Sequence, residues 1–364
     1  MGPLHGVKVI EMGSLGPGPF AGMILADLGA DVILVERSAG NAKARIADCH
    51  RRGKRSIALN LKKEEDLRVF HRLVKQADVL FEGYRPGVME RLGAGPEVCQ
   101  QINPRLIYGR MTGWGQSGPL AHAAGHDINY ISLTGALHAI GIKEKPIPPL
   151  NLIGDYGGGG LFLVVGILAA LHEVKSSGKG QVIDAAMTDG SALLMSIIHS
   201  LDGLGMWNTQ RASNMLDSGT HYYNTYETKD GKYISIGSIE PQFYHLLLEK
   251  AQLDNAEWSH QHDRKSWPEY KTKLEELFKQ KSREEWCQLM EGTDICFAPV
   301  LDYKEAPKHP HNLERGTYFE LDGITQPSPA PRFNRTPCEV KSGSPIAGEH
   351  QEEVFSDWEI GVDQ

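Results

Sequence analysis

The stretch Val7-Lys-Val-Ile-Glu-Met-Gly-Ser-Leu-Gly-Pro-Gly-Pro-Phe20, continuing through Leu28 to Asp31-Val-Ile-Leu-Val-Glu36, decides the fold class. Val7 to Glu11 reads as a buried strand, and Gly13 to Pro19 as a tight loop. Phe20 to Leu28 carries apolar residues at helical spacing, and Gly29 ends that helix. Asp31 to Glu36 is a second strand. Strand, glycine loop, helix and strand in that order open a parallel α/β sheet. Gly16-x-Gly18-x-x-Ala21, with Glu36 beyond it, formally fits a dinucleotide fingerprint. The fit is weak, because Pro17 and Pro19 have no N–H to offer a pyrophosphate.

Working outward, Lys62 to Ala77 is an amphipathic helix with Leu67, Phe70, Leu73, Val74 and Ala77 on one face. Val79–Phe81, Leu106–Arg110 and Gln181–Ala185 read as further strands. Gly157 to Val174 is apolar nearly all round and is expected to be sandwiched in the core. A large doubly wound parallel-sheet domain is therefore expected over 1–186, completed by a Pro-rich tail from about 316 to 364. Ala186 to Trp207 predicts one long helix, inside a helical linker at 187–221. A smaller α+β domain follows at 222–305, with a hairpin of Tyr223–Glu227 and Tyr233–Gly237 around Asp230-Gly231. Its helices are Gln242–Leu253, Pro268–Gln280 and Ser282–Met290, the last with a capping box, Ser282-x-x-Glu285. Residues 306–315 form the return linker.

The 364 residues suffice for two domains. A net charge of −8 argues against bulk nucleic-acid binding. Against that average stands a basic island of Arg37, Lys43, Arg45, Arg51, Arg52, Lys54 and Arg55. Such a patch suits a small polyanion such as a nucleotide, unless it is only a solvated charged surface. Five scattered cysteines make no CxxC pair or metal spacing, as in a reduced intracellular protein. The apolar run Leu161–Leu171 is too short to span a bilayer. No targeting signal is legible, and the final Gly-Val-Asp-Gln is not a peroxisomal tripeptide. A cytoplasmic location is the expectation, with mitochondrial and peroxisomal locations left open.

The chemistry concentrates between Ala124 and Gly160. Ala124-Gly-His-Asp127 stands at one end and Gly154-Asp-Tyr-Gly-Gly-Gly-Gly160 at the other. A lone histidine such as His126, next to an apolar segment, is more commonly a hydrogen-bonded core residue than a catalyst. Asp155 follows the strand-like Leu150–Ile153 and precedes an apolar helix, which is an N-cap position. It is either a plain capping carboxylate or part of an oxyanion site at the positive end of that helix. A histidine, a carboxylate and an oxyanion site together permit proton abstraction next to a carbonyl. One base on each face of the carbon permits epimerisation. Gly83-Tyr-Arg-Pro-Gly87, at the carboxyl end of a strand, offers Arg85 as a phosphate ligand or as a plain loop arginine.

Long motifs then carry a resemblance. Among them are Gly16-Pro-Gly-Pro-Phe20, Ala26-Asp-Leu-Gly-Ala30, Asn103-Pro-Arg-Leu-Ile-Tyr108, Ala124-Gly-His-Asp-Ile-Asn-Tyr130, Pro149-Leu-Asn-Leu152, Asn214-Met-Leu-Asp217 and Ile239-Glu-Pro-Gln-Phe-Tyr244. Over roughly residues 3–335 the chain resembles the family III CoA-transferases and, within them, the branch that racemises 2-methyl-branched acyl-CoA thioesters. The resemblance implies that His126 and Asp155 are the two bases and that Glu240 hydrogen-bonds the histidine. It implies acyl-CoA binding by Arg37, Arg52 or Arg55, and Arg85, with Tyr84, Gly125 and Asp127 in the same set. An interlocked homodimer is implied. So is chemistry with no metal or cofactor, CoA being part of the substrate. Two alternatives stay open. One is a family III CoA-transferase that uses Asp155 as nucleophile. The other is a non-catalytic acyl-CoA-binding protein.

Overall fold

The computed structural model describes residues 1–37 and 48–361. Lys43 and Arg45 of the basic island, and the last three residues, lie outside the described residues. Within the described residues the chain divides into two compact units. The first comprises Met1–Gly135, Pro149–Met195 and Gly316–Gln364, and the second Ala136–Pro148 and Ser196–Arg315. Residues 136–148 thus belong with the second unit, although their sequence position suggested the first.

The first unit is built on a six-stranded sheet of β1 (Lys8–Met12), β2 (Asp31–Glu36), β3 (Arg55–Ala58), β4 (Val79–Glu82), β5 (Ile107–Thr112) and β6 (Val182–Ala186). The order is β3-β2-β1-β4-β5-β6, and every pairing is parallel. Helices cover both faces, so the central strands are apolar on both sides. Ile10, Ile33, Val35 and Leu80 point into one core, and Val9, Val32, Val79 and Phe81 into the other. This is the doubly wound architecture read from Val7–Glu36. The chain reverses direction across the sheet between β1 and β4. Their carboxyl ends are the switch point at which such sheets bind ligands.

The helix after β1, α1 (Pro17–Asp27), starts three residues earlier than its apolar pattern, with Pro17 in its first turn. The amphipathic α2 (Glu64–Gln76) lies where its stripe places it, burying Phe70, Leu73 and Val74. β3 is invisible to pattern reading. Arg55-Ser-Ile-Ala58 has one large apolar residue, and the strand exists because it extends β2, pairing Leu34 with Ser56 and Val35 with Ile57.

The larger departure is around Asp155. No strand forms at Leu150–Ile153. After the first-unit helix α3 (Asp127–Leu133), the chain enters a π-helical segment, Leu152–Gly160, that runs directly into α4 (Leu161–Ser177). Asp155 therefore sits inside a helical turn and not at an N-cap. The glycine run lets this wide turn press against its neighbours: a Cβ on Gly158 would lie 2.6 Å from the backbone nitrogen of Ser191 in the next helix, α5 (Met187–Leu194). The continuous helix from Leu152 to Ser177 is 26 residues, long and apolar enough to cross a membrane by length and composition. It is not fully sandwiched. Leu163, Val164, Ile167, Ala170 and Val174 are buried against the sheet, while Leu161, Val165 and Leu168 are exposed. The single long helix expected over Ala186–Trp207 is two, Met187–Leu194 and Ser196–Gly203, with a tight turn at Met195 whose N–H bonds to the Ala192 carbonyl.

The second unit holds a three-stranded antiparallel sheet, β7 (Tyr223–Glu227), β8 (Tyr233–Gly237) and β9 (Phe297–Val300), in that order. Helices Pro241–Lys250, Trp267–Phe278 and Arg283–Met290 pack on it around an aromatic core that includes Tyr222, Tyr226, Trp258 and Trp286. The capping box is formed. Ser282 Oγ accepts the Glu285 N–H, and the Glu285 carboxylate accepts the Ser282 N–H at 2.7 Å.

Candidate active site

At the switch point two clefts open side by side in the first unit, and Leu15 and Tyr84 line both. One, of about 550 Å³, is lined by residues that include Gly16, Tyr84, Arg85, Trp114, Gly125, His126, Tyr130 and Asp155. The other, of about 620 Å³, lies toward β2 and is lined by residues that include Ser14, Glu36, Arg37, Arg51 and Lys62. Of the residues expected at the site, His126, Asp155, Gly125, Tyr84 and Arg85 thus share one cleft, and Arg37 lies in its neighbour.

His126 caps the start of α3. Its backbone N–H donates to Asn129 Oδ1 at 3.0 Å, which fixes the main chain, and its side chain is exposed. Asp155 arrives from the π-helical turn. Asn151 Nδ2 donates to its Oδ2 at 3.1 Å. Gly16, with φ of +69°, bends the β1–α1 loop beneath the carboxylate; a Cβ there would lie 3.1 Å from Asp155 Oδ2. Burial raises the Asp155 carboxyl above its ordinary range. The Asn151 amide opposes that, the Asp127 charge adds to it, and His126 opposes it. A carboxyl so placed exchanges its proton more readily near neutral pH than an exposed aspartate does.

The Asp155 N–H is not an open oxyanion donor. It donates to Asp127 Oδ2 at 2.7 Å. Asp127 itself is buried behind α3 and does not line either cleft. Tyr84 is tied down from both ends: its hydroxyl donates to the Gly13 carbonyl at 2.9 Å and its N–H to Glu82 Oε2 at 2.6 Å. Glu82 is pushed up to about 7 by burial, against the pull of that N–H and of Arg110.

The basic island is largely consumed inside the fold. Arg51 pairs with Glu36 at 2.6 Å, Arg52 with Asp27 at 2.6 Å, Lys54 with Glu11 at 2.5 Å and Arg55 with Asp31 at 2.6 Å. All four carboxylates lie in the β1–α1–β2 unit. Arg52 is buried, and its remaining donors go to Gln326 Oε1 and the Pro327 carbonyl. Arg55 sits at the amino end of the sheet, where it also pairs with Glu353 and Asp357 of the C-terminal helix Gln351–Asp357. Neither Arg52 nor Arg55 lines the two clefts. Glu36, the residue at ribose distance in the dinucleotide fingerprint, is occupied by Arg51 and by Ser56 Oγ. Sequence spacing hid these pairs because each joins residues 15 to 43 positions apart that only the fold brings together.

Glu240 is exposed at the N-cap of the helix Pro241–Lys250 in the second unit. In the same unit Asn214 and Asp217 bond each other, Nδ2 to Oδ2 at 2.8 Å, and so form a structural turn. Residues that the chemical reading passed over include Tyr130, whose hydroxyl donates to the Gly125 carbonyl and whose ring meets Trp114 edge-on at 4.7 Å, and Asn151. Both lie inside stretches already distinctive in sequence, Ala124–Tyr130 and Pro149–Leu152. Among the described residues no cluster of His, Cys, Asp and Glu is arranged to hold a metal ion.

Comparison with known proteins agrees with this geometry. The family model described as CoA-transferase family III matches residues 4–351. The chain is 47% identical over 360 residues to the alpha-methylacyl-CoA racemase of Mus musculus and 45% identical over 359 residues to that of Homo sapiens. Each alignment covers 98% of this chain and 93% of the relative. The crystal structure of a CAIB/BAIF family protein from Brucella suis superposes with a TM-score of 0.83 at 26% identity, covering 98% of this chain and 99% of that one. The family model over residues 4–351 and the identity to these relatives make the chain a member of CoA-transferase family III.

Proposed function

We propose that the chain interconverts the (R) and (S) epimers of 2-methyl-branched acyl-CoA thioesters by 1,1-proton transfer at the α-carbon. The observation that carries this reading is the placing of His126 and Asp155 in one cleft. The identity to the racemases over nearly the whole chain supports it. One base removes the α-proton and leaves a thioester enolate. The conjugate acid of the other delivers a proton to the opposite face. For one direction Asp155 starts as carboxylate and His126 as imidazolium, and for the other the states are exchanged. The raised proton affinity of Asp155 brings it closer to histidine, which suits a reversible exchange.

The thioester occupies the His126–Asp155 cleft, and CoA extends past Tyr84 into the neighbouring one. There Arg37 and Lys62 offer cations to its phosphates, and Arg85 lines the first cleft. Arg52 and Arg55 drop out of the binding set. The support of His126 by Glu240 that the family resemblance implies belongs to the proposal. It predicts a partial loss of activity in Glu240→Gln.

A homodimer completes the proposal. The exposed Leu161, Val165 and Leu168, at helical spacing on α4, make an apolar strip that a second copy covers. The test of the catalytic reading is solvent exchange. Both epimers of a 2-methylacyl-CoA take up one deuteron at the α-carbon in D₂O with wild-type protein. Transfer of CoA to an added free carboxylate without α-exchange, lost in Asp155→Ala, would instead favour a transferase with Asp155 as nucleophile.

A further inference from the structure

We propose that the Asp127 side chain is a positioning residue: it locks the π-helical turn that carries Asp155 onto the start of α3, and so sets the spacing between Asp155 and His126. This rests on the racemase reading for its consequence but not for its geometry. Asp127 is the first residue of α3, next to His126, and is 7% exposed. Its Oδ2 accepts the Asp155 N–H at 2.7 Å. The contact is too close for a larger residue at 154, since a Cβ on Gly154 would lie 2.5 Å from the same oxygen. Two chain segments 28 positions apart are thereby joined at the main chain of one proposed base, Asp155, and one residue from the other, His126.

The lock is costly, which argues for a purpose beyond packing. Asp127 Oδ1 is buried and makes no hydrogen bond among the described residues. A buried carboxylate with one satisfied oxygen is a poor contributor to stability. A π-helical turn also leaves more amide groups unpaired at its start than an α-helical one, so an outside acceptor has a geometric task there. On the other side of His126 the backbone is held by Asn129 Oδ1. Asp127 and Asn129 thus fix both bases through main-chain contacts while neither contact uses a base's side chain. Because Asp127 lines neither cleft, its effect should fall on turnover and not on substrate binding.

The test combines amide exchange with kinetics. Hydrogen–deuterium exchange of the resting protein is followed in peptides spanning 151–160, with no substrate present. In Asp127→Ala this segment is expected to exchange at least about tenfold faster. The kcat for α-proton exchange should fall about tenfold to a hundredfold, with KM within about threefold of wild type. Asp127→Asn keeps an acceptor oxygen in place and should restore both readouts to within about threefold. If Asp127→Ala does not fold, Asp127→Ser, which is too short to reach the amide, is read in its place. Unchanged amide exchange in these variants would overturn the lock, and so would a rise in KM at constant kcat. Should wild type show no α-proton exchange at all, the racemase reading fails. The amide-exchange result then decides the lock alone, faster exchange supporting it and equal exchange overturning it.

Discussion

Asn151 Nδ2 donates to Asp155 Oδ2 at 3.1 Å, the one side-chain hydrogen bond described for that carboxylate. The bond favours the ionised form and partly offsets the effect of burial. Asn151→Leu should therefore raise the proton affinity of Asp155 further. In the direction where Asp155 is the base, activity needs its carboxylate, so the acid limb of kcat/KM moves to higher pH. In the reverse direction, where Asp155 must carry the proton, that limb should not move the same way. Identical pH profiles for wild type and variant in both directions would remove Asn151 from the account.

The buried pair Lys54–Glu11 gives a stability prediction. Both side chains are 0% exposed, 2.5 Å apart, and Lys54 Nζ also donates to the Pro19 carbonyl at the start of α1. Burial pushes Glu11 up to about 7, against the attraction of Lys54. Lys54→Met strands a buried carboxylate and should cost about 3–5 kcal/mol in urea unfolding at pH 8. Glu11→Leu combined with Lys54→Met should cost less than Lys54→Met alone. A double variant at least as unstable as the single would contradict the ion-pair account.

The second unit carries a histidine that opposes acid. His221 is fully buried among Tyr222, Tyr244, Trp258 and Tyr270, and its Nε2 meets the Tyr244 hydroxyl at 2.8 Å. Burial, with a smaller push from His262, depresses it to about 3. A group whose folded value lies below its unfolded one takes up its proton preferentially in the unfolded chain. Its neutral form therefore supports the fold above pH 6.5, and that support fades as pH falls toward about 3. His221→Gln should flatten the fall in unfolding free energy across that window, by up to about 1.4 kcal/mol per pH unit. Parallel pH curves for wild type and variant would refute this.

The exposed strip on α4 predicts an assembly. Val165 is 58% exposed in the apolar first half of that helix. Val165→Glu should move the protein from dimer to monomer in sedimentation while leaving the helix content of each chain unchanged. A wild-type protein that sediments as a monomer at micromolar concentration would rule out this covering of α4.

Much of the fold was legible because its periodicities are local. The apolar runs of β1 and β2, the glycine between α1 and β2 and the stripe of α2 announce a doubly wound sheet without reference to distant residues. β3 was not legible, since Arg55-Ser-Ile-Ala58 is a strand only by pairing with β2. The π-helical turn escaped for a related reason. Leu152-Ile-Gly-Asp155 has the composition of a strand end, and contacts with α5, α1 and α3, none of them local in sequence, hold it helical. At the site, His126 and Asp155 were found by residue type and motif, and Arg85 by its place after a strand. That Arg52 and Arg55 are paired inside the fold was not legible, because a run of cations in sequence says nothing of Asp27 and Asp31, the partners folded against them. The bond from the Asp155 amide to the Asp127 side chain was not legible either, since it joins positions 28 apart.

The central claim is that His126 and Asp155 serve opposite faces of one carbon. The most direct measurement is α-proton exchange in D₂O, followed by mass spectrometry and NMR, for separate (R)- and (S)-2-methylacyl-CoA with wild type, His126→Ala and Asp155→Ala. The account predicts exchange and epimerisation of both isomers by wild type. It predicts that each variant loses epimerisation and retains exchange, if any, with one isomer only, the two variants retaining opposite isomers. Loss of the same isomer in both variants, or epimerisation that survives either substitution, would contradict it.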